Sequence, residues 1–82
     1  MNPVVFKSLS LSSKTQFLWA DGVYLFSRHL PSQHIELFYL FGFFVEVHFE
    51  EQSHQIEKVH MVPDANHIYE HYLRHYGIED FY

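Results

Sequence analysis

The chain has no cysteine, five lysine and arginine residues together, and only three glycines and three prolines in 82 positions. Each shortage removes a class of answer. Without cysteine there is no disulfide framework, no thiolate metal site and no cysteine nucleophile. Five basic residues against ten acidic ones give a formal net charge of −5 with the histidines neutral. The basic footprint of a nucleic-acid-binding protein is therefore missing, and no nucleic acid partner is expected. Nothing resembles a flexible linker, a repeat or a low-complexity tract. There is also no GxSxG, no GxGxxG and no phosphate loop, so the common nucleophile and nucleotide signatures are absent.

Long apolar runs are scarce as well. The most apolar stretch, residues 37–45 (LFYLFGFFV), lies between Glu36 and Glu46. It is under half of the roughly 20 residues a membrane-spanning helix needs. The start, MNPVVFKSLSLSS, has one lysine and lacks the apolar core of about 7–15 residues found in a secretory signal. The expectation is a soluble, bacterial-type cytoplasmic protein of one domain, with no membrane partner and no cofactor.

What the chain does have is rings. Nine Phe, six Tyr and one Trp make up 20% of it, and there are eight histidines. Each large aromatic side chain can remove about 150–250 Å² from water. A domain of this size buries only about 60% of the surface its unfolded chain exposes, so its core is marginal and a partner subunit would help. Histidine is the side chain whose charge changes between about pH 7 and 5. Eight of them can reverse the sign of the net charge in that window, although surface histidines commonly do no more than meet solvent.

The element pattern reads as α-β-β-β-β-α. Ser12 or Ser13 is a fitting N-cap for a helix over residues 12–20, with Leu11, Thr15 and Leu18 on one face and Gly22 as a left-handed stop. Residues 23–30 (VYLFSRHL) favour a strand, and Pro31 marks a turn. Strands follow over 34–40, 43–50 and 55–62. In FFVEVHFE, Phe43, Val45, Val47 and Phe49 alternate with Phe44, Glu46, His48 and Glu50. A three-residue loop at Leu40-Phe41-Gly42 would pair Tyr39 with Phe43, Leu37 with Val45 and Ile35 with Val47, giving one apolar face. The next pairing sets Val47 against Val59, Val45 against Met61, Glu46 against His60 and His48 against Lys58. Ile56 falls off this pattern. Asp64 caps a closing helix over 65–76, whose apolar stripe is Ala65, Ile68, Tyr69, Tyr72, Leu73 and Tyr76, with Gly77 beyond it. The predicted fold is a two-layer α+β domain, an antiparallel meander with both helices on one face. Trp19 is placed in the core or at its rim.

DGVYLFSR, LFYLFGFFVEVHFE and QIEKVHMV together resemble a group of short uncharacterised bacterial proteins. Their shared pattern is a Gly-Val-aromatic-Leu run ending in Arg, followed by an aromatic-Val-Glu-Val strand. The resemblance spans roughly residues 12–62 and implies a fold only, since no activity is attached to it.

Function has three candidate readings. The first is a non-catalytic interaction module that forms a homodimer through Phe38, Leu40 and Phe44 on the outer sheet face. The second is a metal- or pH-responsive module. In the predicted register Glu36 opposes Glu46 and His34 opposes His48, with His60 and Lys58 flanking and Arg28 approaching from the first strand. His48, His60, Glu36 and Glu46 are then its ligand candidates. His67 and His71, four apart on the closing helix, are an alternative pair, although Glu70 does not stand where an HExxH motif would put it. The third is an acid/base enzyme using Glu36 and Glu46. No residue is assigned a catalytic role.

Overall fold

Asn2 and Ser10 start two N-terminal helices in the computed structural model, which describes residues 1–74. Helix α1 (Pro3–Ser8) has Pro3 in its first turn, and Asn2 Oδ1 accepts the Val5 N–H at 2.9 Å. The expected element pattern contains no helix there. Helix α2 (Leu11–Asp21) is capped by Ser10, whose hydroxyl accepts the Ser13 N–H at 3.1 Å, so the cap precedes the expected Ser12 or Ser13. Gly22 ends α2 in extended backbone, φ −74°, and not in the left-handed conformation expected. Glycine is required there for space: a Cβ would lie 2.6 Å from the Leu18 carbonyl oxygen.

Four strands follow, β1 (Val23–Leu30), β2 (Gln33–Leu40), β3 (Phe43–Glu50) and β4 (Ile56–Met61). They form one antiparallel sheet in the order β1-β2-β3-β4, the expected α+β meander. The β3–β4 pairs are those predicted, Val47 with Val59, Val45 with Met61, Glu46 with His60 and His48 with Lys58. A bulge then admits Glu57 as an extra residue, so that Phe49 meets Ile56 and Ile56 packs against the core.

The β2–β3 hairpin differs from the prediction by one residue. Its loop is the two-residue Phe41-Gly42, both with positive φ (49° and 94°), the conformation that matches the twist of the flanking strands. Leu40 therefore pairs with Phe43, Phe38 with Val45, Glu36 with Val47 and Ile35 with His48. The predicted partners Tyr39–Phe43, Leu37–Val45 and Ile35–Val47 lie on opposite faces. The reason is that β2 is apolar in both phases: Ile35 and Leu37 are buried on one side, Phe38 and Leu40 on the other. Alternation could not choose between the two registers.

That register changes the layering. Phe38, Leu40, Phe43, Val45, Val47 and Val59 form the main core with Phe6 of α1 and Leu18 of α2. Neighbouring strand residues point to opposite faces, so Ile35, Leu37 and Glu46 look the other way. On that side lies the C-terminal helix, α3 (Ala65–Ile68), which runs into a π-helical turn at Tyr69–Leu73. The helices thus occupy both faces, three layers in place of two on one face. Asp64 caps α3 as expected, its Oδ1 accepting the His67 N–H at 3.0 Å. The end of the expected helix, with Tyr76, and Gly77 beyond it lie outside the described residues. Trp19 is a rim residue, mostly exposed, with its ring 5.7 Å from that of Phe38. No helix among the described residues is long and apolar enough to cross a membrane.

Candidate functional site

Glu46 sits in the middle of β3 with a relative exposure of 0%. A carboxylate in that position must be neutralised or fully hydrogen-bonded. Four side chains from three elements do this. Tyr72 donates its hydroxyl to Oε2 at 2.6 Å, and Arg28 of β1 reaches the same oxygen at 3.4 Å. Oε1 faces His67 Nε2 at 3.0 Å and His60 Nε2 at 3.2 Å. Burial works to raise the Glu46 carboxyl; the hydrogen bonds from His60 and Tyr72, with the charges of His67 and Arg28, outweigh it and hold the group well below the usual carboxylate range. Burial first, then the bond to Glu46, pushes the Tyr72 hydroxyl well above its ordinary value.

His67 and Tyr72 reach one carboxylate because the helix is not a regular α-helix. Five residues apart at about 100° per residue, they would stand about 140° apart around its axis. The π turn, seen in the Arg74 N–H bonded to the Tyr69 carbonyl, aligns residues five apart. His67 therefore turns inward to Glu46, and Tyr72 is buried beside it. The ring of His71 lies 4.4 Å from that of His67, centre to centre. Burial, followed by the charge of Arg28, lowers its pKa.

A third histidine completes the cluster. His48 Nε2 lies 2.9 Å from His60 Nε2. The outer nitrogen of each ring meets an oxygen: His60 Nδ1 is 3.1 Å from the Met61 carbonyl, and His48 Nδ1 is 3.1 Å from Gln33 Oε1. A carbonyl oxygen only accepts, so Nδ1 of each ring carries hydrogen; His48 Nε2 then accepts, and His60 Nε2, set between it and Glu46 Oε1, donates a hydrogen that a bound metal ion would replace. Burial, then the nearby charge of His60, lowers the His48 pKa and favours its neutral form. One ligand atom from each of Glu46, His48 and His60 lies within 4.8 Å of the others. Imidazoles with one nitrogen held by an oxygen and the other converging with a carboxylate are the arrangement of metal-ligating histidines.

The sequence-derived candidates are therefore divided. Glu46, His48 and His60 come together, with His67 and Arg28 beside them. Glu36 does not join them: it is on the opposite face, where its Oε2 lies 3.0 Å from His34 Nε2. His34 opposes Phe49, not His48. The Glu36–Glu46 pair required for the acid/base reading does not form. Phe38 and Leu40 are buried in the core under α2, so they offer no outer face to a partner; Phe44 is half-buried against Tyr39, ring centres 5.5 Å apart. Tyr72 was read as core, and its bond to Glu46 went unforeseen; the signal available was a tyrosine, a residue that seeks a hydrogen-bond partner when buried, on a stripe of otherwise apolar positions. Compared with protein-family models, curated proteins and solved structures, the chain matches none.

Proposed function

We propose that the chain is a small binding module for a divalent transition-metal ion, zinc being the natural probe, held by Glu46, His48 and His60. The carrying observation is the convergence of Glu46 Oε1 with the Nε2 atoms of His48 and His60 while both outer nitrogens are fixed by oxygens. Tyr72 and Arg28 hold Oε2 and leave Oε1 for the ion. His67 Nε2, at 3.0 Å from Oε1, stands where a fourth ligand from the C-terminal helix would enter. Protons compete for the same ring nitrogens, so occupancy falls as the solution is acidified. Calorimetric titration with Zn²⁺ at neutral pH tests this. His48→Ala with His60→Ala should weaken binding at this site at least tenfold, and Glu46→Gln should do the same; unchanged affinity in both variants would refute the site.

A second reading, self-association as a homodimer, draws on a different observation. Trp19, Val23, Tyr24, Tyr39 and Phe41 are all large, apolar and exposed at the hairpin end of the sheet, next to the open edge of β1. A second copy of the chain is the proposed occupant. Sedimentation at micromolar concentration should show a dimer that Tyr24→Glu dissociates; a monomer at all concentrations would end this reading.

A further inference from the structure

On the opposite face from Glu46, a cleft of about 410 Å³ is lined by His29, His34, Glu36, Phe49, Glu51 and His54. We propose that it is a second site for a divalent transition-metal ion, with His29, His34 and Glu51 as ligands and Glu36 as the residue that positions His34. It shares no residue with the Glu46 cluster.

His34 Nε2 lies 3.0 Å from Glu36 Oε2. A carboxylate oxygen only accepts, so this nitrogen carries the hydrogen and, in the neutral ring, Nδ1 presents its lone pair. Nδ1 faces His29 Nδ1 at 3.4 Å. That is long for a hydrogen bond between nitrogens. It is the separation of two imidazole ligands around one tetrahedral ion, since bonds of about 2.0–2.1 Å place their nitrogens about 3.4 Å apart. Glu51 Oε2 lies 3.8 Å from His29 Nδ1, on an exposed side chain that must rotate to meet an ion held by both rings. A carboxylate behind a ligating histidine fixes its tautomer and raises its basicity, which is the part Glu36 takes.

The loop that supplies Glu51 and His54 is built to hold its shape. Glu50 accepts the N–H groups of Gln52 and Ser53, each at 2.9 Å. The Glu51 N–H donates to the Ser32 carbonyl at 3.1 Å, tying the loop to the β1–β2 turn, and the His54 N–H donates to the Glu50 carbonyl at 2.8 Å. His54 has φ of 61°, which directs this residue into the cleft wall at the expense of backbone strain. His29 and Glu51 are exposed, so the site loads from solvent without any opening of the core.

The test uses Zn²⁺ titration of the full chain, with circular dichroism to confirm folding. In the background His48→Ala with His60→Ala, where the central cluster is disabled, one ion per chain should still bind. Adding His34→Ala should abolish it, and Glu36→Gln, which touches no ion, should weaken it about tenfold or more. In the otherwise unaltered chain, His34→Ala should lower the stoichiometry by one. Binding that survives His34→Ala in the His48→Ala with His60→Ala background, or no binding at all in that background before His34→Ala is added, overturns the second site whatever the fate of the first.

Discussion

Tyr72 donates a 2.6 Å hydrogen bond to Oε2 of Glu46, joining the C-terminal helix to the middle of a sheet strand. The donor is neutral, the acceptor charged, and both are buried. Bonds of that kind contribute about 1.5–3 kcal/mol. Tyr72→Phe should therefore destabilise the domain by about that amount in urea unfolding. In a double-mutant cycle with Glu46→Gln, the two losses should not add.

Stability should fall on both sides of neutrality, for different reasons. His48 has a folded pKa below its ordinary value of 6.5, so the stability it contributes is present above that pH and is lost as pH falls from there through the lowered folded value. Glu46 is also lowered, from 4.5; its contribution is present above that value and is lost as pH falls below it. Tyr72 is raised from 10.0, so its contribution is present below pH 10 and is lost as pH rises beyond it. A Tm–pH profile should show a plateau between about pH 7 and 10 with an acid limb in two stages. In Glu46→Gln the stage below about pH 4.5 should shrink.

Two glycines should resist substitution on distinct grounds. Gly42→Ala meets no atom within 4 Å, but φ of 94° is a conformation that L side chains rarely adopt, so the loss should be about 1–2 kcal/mol from backbone strain alone. Gly22→Ala has ordinary φ, and its loss should come from the clash with the Leu18 carbonyl, seen as fraying of the end of α2 in amide exchange. Thermal unfolding of both variants, with exchange on the second, separates the two causes.

Sequence showed the meander, the β3–β4 register and the Asp64 cap, because each rests on a local or strictly alternating signal. It misplaced β2 because residues 35, 37, 38 and 40 are all apolar and buried, and because Phe41-Gly42 lacks the Asn or Asp that usually announces a two-residue hairpin turn. That single step moved Glu36 and His34 off the Glu46 face and put Phe38 and Leu40 into the core. Glu46, His48 and His60 stayed legible, since their positions depend on β3 and β4 alone. The inward turn of His67 was hidden, because a π turn breaks the 3.6-residue period on which helix faces are read.

Zinc should couple the sheet to the C-terminal helix. A ligand present at a hundred times its Kd stabilises the folded state by about 2.7 kcal/mol, so Zn²⁺ should raise Tm and a chelator should reverse it. If His67 joins the ion, His67→Ala should reduce the zinc-induced rise while leaving the zinc-free Tm less affected. An equal rise in His67→Ala would remove the helix from the site.

Anomalous diffraction at the zinc edge, from crystals grown with Zn²⁺ near pH 7.5, asks the central question directly. A peak is expected within about 2.0–2.2 Å of Glu46 Oε1 and of the Nε2 atoms of His48 and His60. No peak between those three atoms, with their side chains still hydrogen-bonded to one another, would rule out the metal site.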